Sequence, residues 1–180
     1  DDFVQVPSPS GLPVGNAPRT MELWFQTDAN LQSQTESAII QYGTESNSQM
    51  FGLITSSNAP GRLYFFGHAN DLAGTTVIQP GQWYHAALTH DGSTVRMYVN
   101  GILEASKAAT LNTVLNGNGL TLGYRSSASR WDGLIDETSL YDRALTDTEI
   151  RSIYLAGSAG KCELPDRAPV ADAGEDQSIP

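Results

Sequence analysis

The stretch Trp83-Tyr84-His85-Ala86-Ala87-Leu88-Thr89-His90-Asp91-Gly92-Ser93-Thr94-Val95-Arg96-Met97-Tyr98-Val99-Asn100-Gly101-Ile102-Leu103-Glu104-Ala105 decides the fold. Three apolar or alternating runs of strand length are separated by Asp91-Gly92-Ser93 and by Asn100-Gly101. Asn-Gly suits a type I′ hairpin turn, in which both central residues need positive φ. Tyr84 to Ala105 is therefore expected to form a three-stranded meander. Similar runs recur at Met21 to Gln26, Ala38 to Tyr42, Phe51 to Thr55, Leu63 to Phe66, Leu120 to Gly123 and Leu134 to Tyr141. The breaks between them carry Gly, Asn, Asp, Ser and Pro, the residues of tight turns. Many short strands joined by such turns make an antiparallel sandwich or barrel.

One segment departs from the strand pattern. Leu145-Thr146-Asp147-Thr148-Glu149-Ile150 opens a helix, with Thr146 and Glu149 spaced as a capping box and Leu145 and Ile150 as a hydrophobic staple. Ile150, Ile153 and Tyr154 share a face, and Gly157 is placed to end the helix. After Gly160 the composition changes. Residues 161–168 contain two prolines and no periodicity, as expected of a linker, and residues 169–180 are too few to bury a core.

The charge balance narrows the function. Across 180 residues there are 10 Lys and Arg against 20 Asp and Glu, a formal net charge of −10. Nucleic-acid and anionic-membrane partners are disfavoured, because phosphate surfaces select clustered Lys and Arg. Charged residues make up 17% of the chain, below the usual figure of about 25%, which fits an exported β-rich protein. No run approaches the ~18 apolar residues of a membrane span. The chain opens at Asp1-Asp2-Phe3 rather than at Met, as expected of a processed or excised piece. The one cysteine, Cys162, has no partner for an intrachain disulfide, and a lone thiol builds no metal site.

Two signatures carry a resemblance. Trp83 to Ser93 followed by Val95 to Gly101 resembles the central hairpins of laminin-G-like domains of the concanavalin-A-like jelly roll. Trp131-Asp132-Gly133-Leu134-Ile135-Asp136-Glu137, continuing through Tyr141-Asp142-Arg143-Ala144-Leu145-Thr146 to Glu149-Ile150, resembles that family's strand-to-helix signature. Asp2 to Pro7 and Met21 to Phe25 are similar to its first strands. The resemblance implies an all-β, two-sheet antiparallel jelly-roll sandwich with one short C-terminal helix over residues 1–160. The family usually has an apolar strand and an Asp-Gly ahead of the point where this chain begins. The tail Ala168 to Gln177 is similar to the opening strand of a polycystic-kidney-disease-type domain, starting at residue 169. That repeat is common in large secreted bacterial proteins, so a secreted or cell-surface parent of bacterial type is expected.

The chemistry follows site by site. Glucanases of this fold hold two carboxylates on one strand face at alternating positions, about 5 Å apart for retaining hydrolysis. Here Asp136 and Glu137 are neighbours, which point to opposite faces of a regular strand. No Gly-x-Ser-x-Gly or His-Glu-x-x-His occurs. The expectation is no enzyme activity. The resemblance implies structural calcium, with Asp136 as a ligand and Asp1 and Asp2 as partners. Asp136 is expected beside a core face, where a carboxylate is costly unless paired or coordinated. For ligand binding, the loop carrying His68, Asn70 and Asp71 and the pair Tyr124-Arg125 offer the aromatic and polar groups that sugars need. Trp24, Trp83 and Trp131 are expected to be core or rim packing. The leading reading is a non-catalytic recognition module for a glycan or other cell-surface ligand, acting beside other domains of its parent. The alternatives are a calcium-stiffened adhesive spacer or protein-binding domain, and an accessory domain of a secreted glycosidase or peptidase.

Overall fold

A computed structural model of the protein describes residues 3–32, 36–115, 119–126 and 129–157. Its strands are β1 (Val4–Val6), β2 (Arg19–Thr27), β3 (Glu36–Gly43), β4 (Met50–Ser56), β5 (Leu63–Phe66), β6 (Leu72–Ala73), β7 (Trp83–His90), β8 (Thr94–Val99), β9 (Ile102–Ala108), β10 (Leu120–Leu122), β11 (Tyr124–Ser126), β12 (Ser129–Arg130) and β13 (Gly133–Tyr141), followed by helix α1 (Asp147–Ala156). The expected meander is β7, β8 and β9. Its second turn places Asn100 at φ 50° and Gly101 at φ 73°, the positive values that Asn-Gly provides.

Two antiparallel sheets result, of order β1-β10-β3-β4-β5-β6 and β13-β2-β7-β8-β9, with β11 and β12 as a small separate ribbon. This is the expected two-sheet jelly roll. Alternation sorts β2: Met21, Leu23 and Phe25 enter the core, while Glu22, Trp24 and Gln26 take the outer face. The core between the sheets also contains Ile40, Tyr42, Phe51, Leu53, Phe65, Ala86, Leu88 and Met97, with Trp131 at one end.

A second, smaller apolar cluster lies on the outer face of the five-stranded sheet, where Ala87 and Tyr98 receive Leu145 and Ile150. Helix α1 is held there by its cap. The Thr146 hydroxyl accepts from the Glu149 amide at 3.3 Å, and the Glu149 carboxylate accepts from the Thr146 amide at 2.8 Å. The Tyr98 hydroxyl donates to Asp147 at 2.7 Å, and Thr20 accepts from the Leu145 amide at 2.9 Å. The capping box and staple are thus present as spaced. The linker, Cys162 and the segment from residue 169 lie outside the described residues.

Candidate functional site

The outer face of the six-stranded sheet carries a cavity of about 150 Å³. Gln5, Thr121 and Gln41 form its floor as direct cross-strand neighbours on β1, β10 and β3. Gly52 on β4 stands opposite Gln41, and a Cβ there would come within 2.8 Å of the Gln41 Cβ. A glycine at that point therefore leaves room for the Gln41 side chain. Gln41 is 8% exposed and Thr121 4%, yet Gln41 Oε1 and Thr121 Oγ1 have no hydrogen-bond partner in the protein. A buried polar group left unpaired costs about 1–3 kcal/mol. Two on adjacent strands at one cavity are unfavourable for stability alone.

Tyr124 and Arg125 line the same cavity. Gly123, at φ 71°, turns the chain out of β10 into the ribbon that carries them. The guanidinium of Arg125 sits 4.5 Å from the centre of the Phe66 ring and pairs with Glu36 and, at 3.1 Å, with Glu45. Its charge is thereby offset by two carboxylates. The Tyr124 ring stacks on Phe3 at 4.7 Å.

The expected loop residues divide. His68 packs edge-on to Phe66 at 5.6 Å, which connects it to the Arg125 end of the site. Asn70 and Asp71 act as struts: Asn70 donates to Ser48 Oγ at 2.7 Å, and Asp71 accepts from the Gly67 amide at 2.9 Å. They hold a loop in which His68 and Ala69 adopt positive φ. Gln5, Gln41, Thr121, Glu36 and Glu45 escaped the sequence reading. One signal was present, since Gln41 interrupts the apolar run Ala38 to Tyr42.

Asp136 differs from expectation. It is exposed, and its carboxylate accepts from the Glu137 amide at 2.8 Å, so the side chain caps backbone. Ile135, not Asp136, packs on the core. The opposite-face argument for Asp136 and Glu137 also fails, because β13 is bulged. Asp136 pairs with Trp24 but Ser139 with Glu22, one residue more than a regular ladder allows, and Glu137 takes φ 51°. A bulge re-aims side chains, and a non-glycine residue in this conformation is held at a cost of roughly 1–2 kcal/mol. Both residues line a single cleft with Trp24 and Trp83. Among the described residues no three His, Cys, Asp or Glu side chains converge as a metal cluster. Asp1 and Asp2 lie outside the described residues, and Asp136 with Glu137 falls short of the six to eight oxygens of a calcium site.

The tryptophans separate as well. Trp131 is core, and Trp24 is half-buried against Tyr154 with ring centres 5.8 Å apart. Trp83, at the start of β7, is 39% exposed and lies at the rim.

Comparison with known proteins agrees with this architecture. The mouse protein pappalysin-1 is 28% identical over 154 residues, 74% of this chain, and the chain spans about 9% of that relative's length. A putative carbohydrate binding protein from Bacteroides ovatus superposes with a TM-score of 0.67 at 22% identity, over 85% of this chain and 44% of the other. Domain 4 of AbnA, an extracellular arabinanase from Geobacillus stearothermophilus solved in complex with arabinotriose, gives a TM-score of 0.63 at 24% identity, over 80% of this chain and 69% of the other. Among the described residues no helix is long and apolar enough to cross a membrane. The family model described as "Concanavalin A-like lectin/glucanases superfamily" matches residues 1–151, and the chain belongs to that superfamily.

Proposed function

We propose that this domain is a non-catalytic module that binds a neutral glycan at the Gln41–Thr121 cavity, within a larger secreted or cell-surface protein. The observation that carries the reading is the pair of buried, unpartnered polar atoms on the cavity floor. A sugar hydroxyl can donate to Gln41 Oε1 and exchange a hydrogen bond with Thr121 Oγ1, relieving both. The B. ovatus and arabinanase neighbours support a carbohydrate as the ligand. Neutral glycans are favoured because Arg125 is already paired with Glu36 and Glu45 and the chain carries a net charge of −10.

The cavity is smaller than the about 300–1,000 Å³ of a pocket that engulfs a drug-sized ligand. It takes one ring or its substituent. Each exchanged hydrogen bond nets about 0.5–1.5 kcal/mol, so a short oligosaccharide should bind with Kd on the order of 10 μM to 1 mM. Repeated modules or repeated epitopes would raise this through effective concentration. The test is a neutral and acidic glycan array followed by titration of the strongest hit. Thr121→Val, which removes the hydroxyl at constant shape, should weaken that hit at least tenfold while the domain stays folded. If the folded wild type retains no glycan, the spacer reading replaces this one.

Calcium belongs to the same proposal as a structural ion. Asp136 would supply one ligand and Asp1 and Asp2 others. A chelator should then lower Tm, magnesium at matched ionic strength should not restore it, and Asp136→Ala should remove the difference. Equal stabilisation by magnesium would refute a specific site.

A further inference from the structure

A second cleft, of about 450 Å³, lies on the outer face of the five-stranded sheet, on the opposite sheet from the glycan cavity. It is lined by Trp24, Trp83, Asp136, Glu137 and Gly157. Trp24 faces His85 across the β2–β7 ladder and Gln26 faces Trp83, so the two indoles are diagonal neighbours on one face. Asp136 pairs directly with Trp24 from the other side. Across the ladder the row is thus Asp136, Trp24 and His85, with the exposed Trp83 indole on the diagonal and Trp24 stacked on Tyr154. The bulge at Glu137 brings a second carboxylate to the same wall. No Lys or Arg lines the cleft among the described residues.

The geometry points to this cleft as a docking site for an arginine side chain of a partner protein or peptide. Indole faces attract cations through their quadrupole, and a guanidinium stacks on them more readily than an ammonium. The same planar group takes a carboxylate in a bidentate pair, which a point charge does not. Aromatic walls without acidic groups would suit any flat ligand, and acidic groups without aromatics would suit any cation. Their combination, in a chain of net charge −10, selects a flat cation. This site is independent of the glycan cavity and of its fate, but it shares Asp136 with the calcium site proposed above, so the ion and the arginine compete for that carboxylate.

The experiment uses the whole chain in metal-free buffer and a capped Gly-Arg-Gly-Arg-Gly peptide as probe. Indole N–H resonances report each tryptophan separately. The peptide should shift Trp83 and Trp24 and leave the core Trp131 unmoved. Replacing arginine by citrulline, of the same shape without charge, should abolish the shifts, and lysine should bind at least threefold more weakly. Asp136→Asn combined with Glu137→Gln should weaken binding at least tenfold, and raising salt should weaken the wild type. Trp83→Ala, at an exposed position, should abolish binding while the remaining spectrum stays dispersed. Equal binding of the citrulline peptide overturns the proposal. So do shifts confined to Arg125 and its neighbours, the absence of any shift, or a larger response of Trp83 to a neutral oligosaccharide than to the arginine peptide.

Discussion

Gln41 and Tyr42 are successive residues of β3 and meet opposite fates. Tyr42 turns inward and meets Arg19, whose side chain is 1% exposed and whose guanidinium is fully engaged: it donates to the Tyr42 and Thr113 hydroxyls and to the carbonyls of Val14, Gly15 and Ala17. Gln41 turns outward to a cavity and leaves its carbonyl oxygen unmatched. Both groups are buried and polar. At Arg19 every donor of the guanidinium finds an acceptor within the chain. Where atoms are left over beside an opening, the missing partner is to be sought outside the chain.

The sharpest way to break this comparison is Arg19→Met. It removes five hydrogen bonds, of which those to the Tyr42 and Thr113 hydroxyls are buried while the Val14 and Gly15 carbonyls keep backbone donors, and should cost about 2–4 kcal/mol in urea unfolding. A loss below about 1 kcal/mol would mean that the network adds little. The contrary change on the outer side is Gln41→Leu. It removes an unmatched polar atom, so stability should hold or rise by up to about 2 kcal/mol, while the glycan affinity proposed for the cavity is lost. A large destabilisation would show that Gln41 supports the fold after all. Between these in kind, and smaller, is the helix cap: Thr146→Ala should cost about 1 kcal/mol.

The smallest effects are in pH. The hydrogen bond from Arg143, helped by the Thr146 backbone amide, lowers the Glu149 carboxyl to about 2. A depressed carboxylate stabilises above its unfolded value, so this contribution is present above about 4.5 and is lost as pH falls towards 2. Burial, with the hydrogen bond to Asp147, raises Tyr98 to about 12. Its contribution is complete below 10 and is lost between 10 and 12. Both groups hold helix α1, so acid and alkali should each loosen it before the sheets unfold. Amide exchange of Ile150 and Ile153 at pH 3 and pH 11, compared with that of Leu88, checks the order. Uniform exchange of helix and sheet would contradict it.

The second outer face sharpens the contrast further. Over the five-stranded sheet, helix α1 covers Ala87 and Tyr98, and beneath it Glu22 and His85 meet at 3.1 Å, both fully buried. The six-stranded sheet has no helix over its outer face among the described residues. One face is closed by the chain itself, apart from the cleft at its edge, and the other carries an open polar cavity.

The meander, the Asn100-Gly101 turn, the capping box and the staple were legible in the sequence. Each depends on residues within about ten positions of one another, and local rules of φ, capping and alternation decide them. Tyr124 and Arg125 were legible as polar groups beside a turn. The cavity was not, because it joins Gln5, Gln41, Thr121 and Arg125 from four strands, and only the register of β1, β10 and β3 brings them together. The faces of Asp136 and Glu137 were misread for a related reason. A bulge shifts register by one residue and exchanges the faces of everything beyond it, and it arises from pairing with β2 rather than from the Ile-Asp-Glu sequence itself. Strand identity is a local property of this chain. Which atoms end buried and unpaired is a property of the sheets, because it depends on what each strand's neighbours leave unmatched.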